Sequence, residues 1–343
     1  MNVPSLSGFL TMTEASYRLF DLGIQLRKMP DSTLERFDEG QPYPCPHLGY
    51  AWLVIFLWNE HESQQNSLWF LKLPLDEQGI LPAAVHSDLV NRLYRALQVQ
   101  DSKERQRLLT DHPYQFKPEP EKMAALHARA TKILGLPPSP YFEDVHRFYL
   151  SPNTGLHWQE LGIQGIADFV CRLKDNDIQQ LNPSLLTLDQ APLLALLRQF
   201  EHRELPTSTV EMLVSIAQKN PDNAELTSAC LRACAQSPAR KLIEPVIAAR
   251  IDNETVDLEL LLTVLTRFPH LCQDATYATQ ILDRLARVAD ADGFQRVMTN
   301  LAMQPGMAGI VMTTLANPAL TENLANALSL LIQRTRGQNH AKH

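Results

Sequence analysis

Basic residues are in short supply in this chain: 31 Lys and Arg stand against 38 Asp and Glu, a formal charge of −7 at pH 7. A nucleic-acid partner normally draws on a positive field that displaces counterions from the phosphate backbone, and none is available here. The densest basic stretch, Lys103-Glu104-Arg105-Gln106-Arg107, is broken by an acid and reads as a solvated helix face. Cysteines number five and are scattered (Cys45, Cys171, Cys230, Cys234, Cys272), which excludes a disulfide framework; Cys230 and Cys234 share a helical face and read as small buried residues. No apolar run approaches the roughly 18–20 residues of a membrane span. The longest candidate, Tyr50 to Trp58, is strand length and ends in Asn59 and Glu60. The opening residues Met1 to Gly8 lack the basic and apolar regions of a secretory signal. The expectation is a cytoplasmic protein with no membrane partner.

Signature motifs are absent too. There is no Walker loop, no Gly-x-Gly-x-x-Gly after a strand and no Gly-x-Ser-x-Gly elbow, and the eleven histidines show no metalloprotease spacing. Glu60-His61-Glu62 falls in a polar turn. Neither a metal nor a cofactor is expected.

What is present is an ordinary globular balance, 45% hydrophobic and 20% charged residues. At 343 residues the chain exceeds the roughly 250–300 at which single cores stop growing, so two domains are expected. The fold class is α+β: a small N-terminal mixed α/β domain with a β-hairpin over 1–112, an all-α helical-repeat domain of HEAT-like or tetratricopeptide-like type over 113–335, and a disordered tail over 336–343. A compact helical bundle is the competing architecture for the second domain.

The N-terminal part begins with a short helix from about Pro4 to Glu14, then a strand at Tyr17 to Leu22 ended by Gly23, with Ile24 to Lys28 continuing as a second. Ser32 and Glu35 stand at the capping-box interval ahead of a brief helix to about Glu39. Gln41 to Pro46 carries three prolines and is an extended loop packed by Tyr43. Tyr50 to Trp58 and Leu68 to Leu73 form the hairpin, and the continuous apolarity of the first strand implies cover on both faces by helices. One such helix runs from Pro82 to about Gln98, with Val85, Leu89, Leu93 and Leu97 four residues apart. Beyond the proline-rich stretch Asp101 to Pro120, a helix from Glu121 to Leu134 opens the second domain. Breaks at Leu205-Pro206-Thr207, Asn220-Pro221-Asp222, Ser237-Pro238, Asp252-Asn253, Asp290 to Gly293, Gln304-Pro305-Gly306 and Asn317-Pro318 divide the rest into Leu/Ala-rich segments.

The candidate site lies where the second hairpin strand turns toward its helix, at Leu73-Pro74-Leu75-Asp76-Glu77-Gln78-Gly79. Asp76 and Glu77 at a strand end are placed as working carboxylates often are, against a plain capping role at the positive end of the Pro82 helix. Lys72, alone in an apolar strand, pairs with Asp76, Glu77 or Asp21, or snorkels from an edge. His86, one turn into the helix, invites an acid/base reading with Asp76 or Glu77, against that of a lone surface histidine.

Five stretches in order, Tyr17 to Gly23, Trp58-Asn59-Glu60, Trp69 to Gly79, Pro113 to Pro118 and Leu161 to Asp168, carry a resemblance that spans nearly the whole chain. On them the chain resembles a full-length family of uncharacterised bacterial proteins of similar size. Basic residues often follow the Asp-Leu-Gly element in that family, where Ile24 and Gln25 stand here. The resemblance implies no activity and transfers no catalytic residue. The leading expectation is a non-catalytic interaction or adaptor protein that binds an unknown protein partner through its helical-repeat surface. An enzyme or small-ligand binder using Asp21, Lys72, Asp76, Glu77 and His86 is the alternative, and an RNA-associated protein a third.

Overall fold

The computed structural model describes residues 5–13, 15–61, 66–99, 101, 103–104, 107–108, 111–151, 155–253, 256–316 and 320–340. The chain forms two compact units, Met1–Met123 and Ala124–His343.

The first unit is built on a four-stranded antiparallel sheet of order β2-β1-β3-β4, with β1 Ser16–Asp21, β2 Arg27–Met29, β3 Tyr50–Trp58 and β4 Asn66–Pro74. Residues 62–65 of the hairpin turn lie outside the described residues. Because successive residues of a strand face opposite sides, the register sorts the apolar run of β3 into two sets. Leu19, Ile55 and Trp69 stand in one row and Asp21, Leu53 and Leu71 in another, both on the side of the main core. Three helices cover that side: α1 (Leu6–Met12), α2 (Thr33–Asp38) and α3 (Ala83–Gln98), which contribute Phe9, Phe37, Leu89 and Leu93. Leu97 lies outside the described side chains. The helix at 33–38 forms as the composition predicts, but without the capping box, since the Ser32 side chain makes no capping hydrogen bond. On the other face Phe116 packs edge-on against Trp52 and Phe70, with ring centroids 5.1 and 5.7 Å away. That neighbour comes from an extended segment, not from a helix.

The same segment explains why the first unit runs past the expected boundary at 112/113. The amide of Lys72 donates to the carbonyl of Tyr114 at 2.6 Å, and Leu71 and Gln115 form an isolated antiparallel bridge. A sheet edge offers unpaired backbone groups, and the proline-rich stretch that composition marks as a linker satisfies some of those of β4.

In the second unit the helices are α4 (Pro120–Ile133, which begins in the first unit), α5 (Phe142–Leu150), α6 (Ile163–Arg172), α7 (Asp175–Leu185), α8 (Gln190–Phe200), α9 (Thr207–Lys219), α10 (Ala224–Cys234), α11 (Glu244–Asp252), α12 (Leu258–Arg267), α13 (Ala275–Val288), α14 (Ala291–Met303), α15 (Ala308–Leu315) and α16 (Glu322–His340). Helices begin or end at the sequence breaks from Leu205-Pro206-Thr207 to Gln304-Pro305-Gly306, while Asn317-Pro318 lies outside the described residues; four helices begin with an Asn or Asp whose side chain accepts an amide of the first turn: Asn223, Asp257, Asp274 and Asp290. From α5 to α15 each odd-numbered helix packs on the next odd-numbered one, and from α6 to α16 each even-numbered helix does the same. Small buried residues permit this; Cys230 and Cys234 have no exposed surface and sit within α10 between α8 and α12. α16 extends to His340, through residues whose polarity predicts a disordered tail; 341–343 lie outside the described residues.

Candidate functional site

The proline-rich loop before β3 carries Tyr43 into the core, where its ring stacks on Phe37 with centroids 5.4 Å apart. Its hydroxyl donates to Asp21 Oδ2 at 2.8 Å, and the Gly23 amide donates to Asp21 Oδ1 at 3.1 Å. Asp21 is 4% exposed. Burial drives its carboxyl up to about 7, against the opposing pull of Tyr43, Gly23, Arg27 and Lys122. Burial likewise holds the Tyr43 hydroxyl well above its ordinary value, with the Asp21 charge adding to it. Arg27 Nη1 donates to Cys45 Sγ at 3.3 Å, and Lys122 Nζ donates to the Gly23 carbonyl at 2.7 Å, so two cations flank the buried acid. A side chain at position 23 would crowd this corner, since a Cβ there would lie 3.1 Å from both His47 Cβ and Trp52 Cδ1. The arrangement can hold a proton near neutrality, in a setting closed to solvent.

Lys72 is not part of it. It stands in the row of Trp52, adjacent to the Asp21–Leu53–Leu71 row, so its side chain leaves the sheet on the opposite face. There its ammonium lies 4.2 Å from the Tyr50 ring centroid and 4.4 Å from that of Trp52, so of the two readings the pairing with Asp76, Glu77 or Asp21 gives way to a cation–π clamp on an edge strand.

Asp76 serves the turn after β4. Its Oδ1 accepts the amides of Gln78 and Ile80 at 2.9 and 2.8 Å, and Gly79 adopts φ 76°, a conformation that favours glycine. The turn docks on the loop through the Tyr43 amide, which donates to the Gly79 carbonyl at 2.8 Å. The capping alternative therefore needs correction: α3 starts after Pro82 with no acid in its first turn, and the carboxylate organises the turn itself. Glu77 is exposed.

His86 points elsewhere again. Its Nε2 lies 2.8 Å from Oδ1 of Asp38, the last residue of α2, which also accepts the amides of Leu6 and Ser7 and the Ser7 hydroxyl. Burial raises the Asp38 carboxyl, but these hydrogen bonds outweigh it and leave the group below its ordinary range. The acid/base pairing of His86 with Asp76 or Glu77 is thus replaced by a staple joining α1, α2 and α3. The five candidate residues occupy separate places; no arrangement brings Asp21, Lys72, Asp76, Glu77 and His86 together. Sequence reasoning missed Asp38 and the Tyr43 hydroxyl, because both meet partners distant in the chain.

In the second unit the most elaborate polar feature links alternate helices. Glu201, at the end of α8 and 8% exposed, accepts Arg267 Nε of α12 at 3.0 Å and lies 3.8 Å from Arg232 Nε of α10. Arg232 Nη1 in turn donates to Glu259 at 2.8 Å. Among the described residues no group of three His, Cys, Asp or Glu side chains is placed to hold a metal ion, and no helix is long and apolar enough to cross a membrane.

The profile of a family described as a protein of unknown function (DUF3549) matches residues 1–332. No curated protein and no solved structure matches the chain.

Proposed function

We propose, for a chain that belongs to the DUF3549 family of proteins of unknown function, the role of a non-catalytic cytoplasmic interaction protein that binds a protein partner through the surface of its helical unit. The observation that carries this reading is the packing of that unit in two series, odd helices on odd and even on even, from α5 to α16. Such stacking is the pattern of an α-solenoid, whose successive units bury their faces against neighbours and whose long surfaces serve in recognition. The Glu201–Arg267 and Glu201–Arg232 contacts support the same reading, since they tie three helices of one series to a single buried carboxylate. Large apolar side chains stand exposed along the unit, among them Tyr141, Leu186, Leu242 and Leu258.

The test is cross-linking of the full-length chain in native lysate, with the linked residues mapped. Partner cross-links concentrated in 124–340, and their loss in full-length variants carrying Leu186→Glu, Leu242→Glu and Leu258→Glu at unchanged Tm, are the expected result. Cross-links confined to the first unit, or none above background, would end the proposal.

Asp21 favours a second reading, a small-ligand or catalytic role at the end of the sheet, because a carboxyl that titrates near neutrality beside a tyrosine hydroxyl is suited to proton transfer. Its 4% exposure weighs against contact with a substrate.

A further inference from the structure

Where α6 meets the segment that joins α4 to α5, three side-chain atoms are sealed from solvent and have no hydrogen-bond partner among the described residues: Asp168 Oδ1, Ser139 Oγ and Arg172 Nε. Asp168 as a whole is 1% exposed. Buried polar atoms are almost always hydrogen-bonded, to protein or to ordered water, so three in one place call for a common partner. The local sequence explains why protein groups do not supply it. Leu136-Pro137-Pro138-Ser139-Pro140 carries three prolines and so offers few amides. The Leu136 amide donates to the Thr131 carbonyl at 2.9 Å, and the Ser139 amide donates to Asp168 Oδ2 at 3.0 Å. Arg172, one turn along α6 from Asp168 and on the same face, reaches the same segment. Its Nη2 donates to the Leu136 carbonyl at 2.9 Å and to the Thr131 hydroxyl at 3.2 Å. Each of the two α6 residues thus commits one polar atom to the segment and keeps another unmatched. Asp168 Oδ1 shares a carbon with the oxygen that holds the Ser139 amide, and Oγ belongs to the same serine, so these two atoms are neighbours without a bond between them.

We propose that this junction is a binding site for one water molecule, held as a fixed part of the fold, which bridges Asp168 Oδ1 and Ser139 Oγ and accepts a hydrogen bond from Arg172 Nε. The three atoms select that occupant. A metal cation would face the Arg172 N–H, which is positively charged and has no lone pair to give, and an anion would face the Asp168 carboxylate. The occupant is therefore neutral, and both donor and acceptor. It is also small. At Gly165, one turn before Asp168, α6 runs so close to the start of α5 that a Cβ would lie 2.8 Å from the Tyr141 carbonyl oxygen and 2.9 Å from Val145 Cγ2. Water meets all three requirements, and a buried water typically makes about three hydrogen bonds. Its role is to extend the grip of α6 on a segment too poor in amides to be held by direct bonds, and so to place the start of α5. The site lies within the second unit and is independent of the partner surface proposed above.

The experiment is a crystal structure of the full-length chain at a resolution that shows ordered water, paired with deuterium relaxation dispersion of the solvent, which counts the waters a protein holds in solution. Expected is a density peak at hydrogen-bond distance, about 2.7–3.2 Å, from Asp168 Oδ1, Ser139 Oγ and Arg172 Nε. Ser139→Ala should keep the peak on its two remaining partners. Ser139→Ala combined with Arg172→Met should abolish it and lower the solution count by about one long-lived water. The wild-type structure decides the matter even where the double variant does not fold. Direct pairing of the three atoms with protein groups, a site without density, or an occupant at the roughly 2.3–2.6 Å of a calcium ion would overturn the proposal. A folded double variant with an unchanged water count would overturn it equally.

Discussion

The Tyr43 hydroxyl donates to Asp21 Oδ2 at 2.8 Å across a buried junction between the proline-rich loop and the end of β1. Burial has raised the Asp21 carboxyl from 3.8 to about 7, so between these values the folded chain binds a proton that the unfolded chain has released. The stability this group contributes is complete below its ordinary value and is lost as pH rises through about 7. Linkage sets the scale at on the order of 4 kcal/mol across the window. Asp21→Asn is expected to flatten the fall in Tm between pH 5 and 8, and Tyr43→Phe to steepen it, since the ionised carboxylate loses its donor. Thermal melts of the three proteins at four pH values check this; parallel curves would refute it.

Lys72 tests the cation–π clamp. Lys72→Met keeps the aliphatic stem but removes the charge over Tyr50 and Trp52, and is expected to lower stability by about 1 kcal/mol. Lys72→Arg should recover at least half of that. The readout is the urea midpoint at constant m, and an equal loss in both variants would mean that packing, not charge, matters there.

Asp76 and Glu77 are neighbours with unequal expected effects. Asp76→Ala deprives the Gln78 and Ile80 amides of their acceptor and should cost about 1–2 kcal/mol. Glu77→Gln, at an exposed position, should stay within about 0.5 kcal/mol. Chemical denaturation of the two variants separates the turn role from a shared carboxylate site, which would make both changes matter alike.

Glu201→Gln leaves Arg267 and Arg232, both mostly covered, without their common anion, and a loss of about 3 kcal/mol is expected. Glu259→Gln, whose side chain is over half exposed, should change stability by less than about 1 kcal/mol. Hydrogen exchange should place the Glu201→Gln effect in α8, α10 and α12; exchange altered only in the first unit would contradict the assignment.

Much of the architecture was legible in the chain because it rests on local chemistry. The β3 run from Tyr50 to Trp58 begins and ends where its aromatic and β-branched composition does, and the proline and Asx breaks between Leu205 and Gly306 mark real helix ends. The candidate site was legible only as a set of residue types. Lys72 was visible as a charge in an apolar strand, but the choice between a carboxylate and two aromatic rings depends on which face it leaves, and one residue of register reverses that. His86 lies 48 positions from Asp38, and no spacing rule joins them.

The sequence by itself determined the α+β class, the hairpin, the helical second half and the lack of a positive field, since periodicity, breaker residues and charge count act within a few residues or over the whole chain. Tertiary structure alone decided that Phe116 belongs to the sheet, that Asp21 is sealed against Tyr43, and that Asp38 gathers α1, α2 and α3. These are pairings between segments far apart in the chain, chosen by which buried polar groups and open strand edges needed partners once the core had closed.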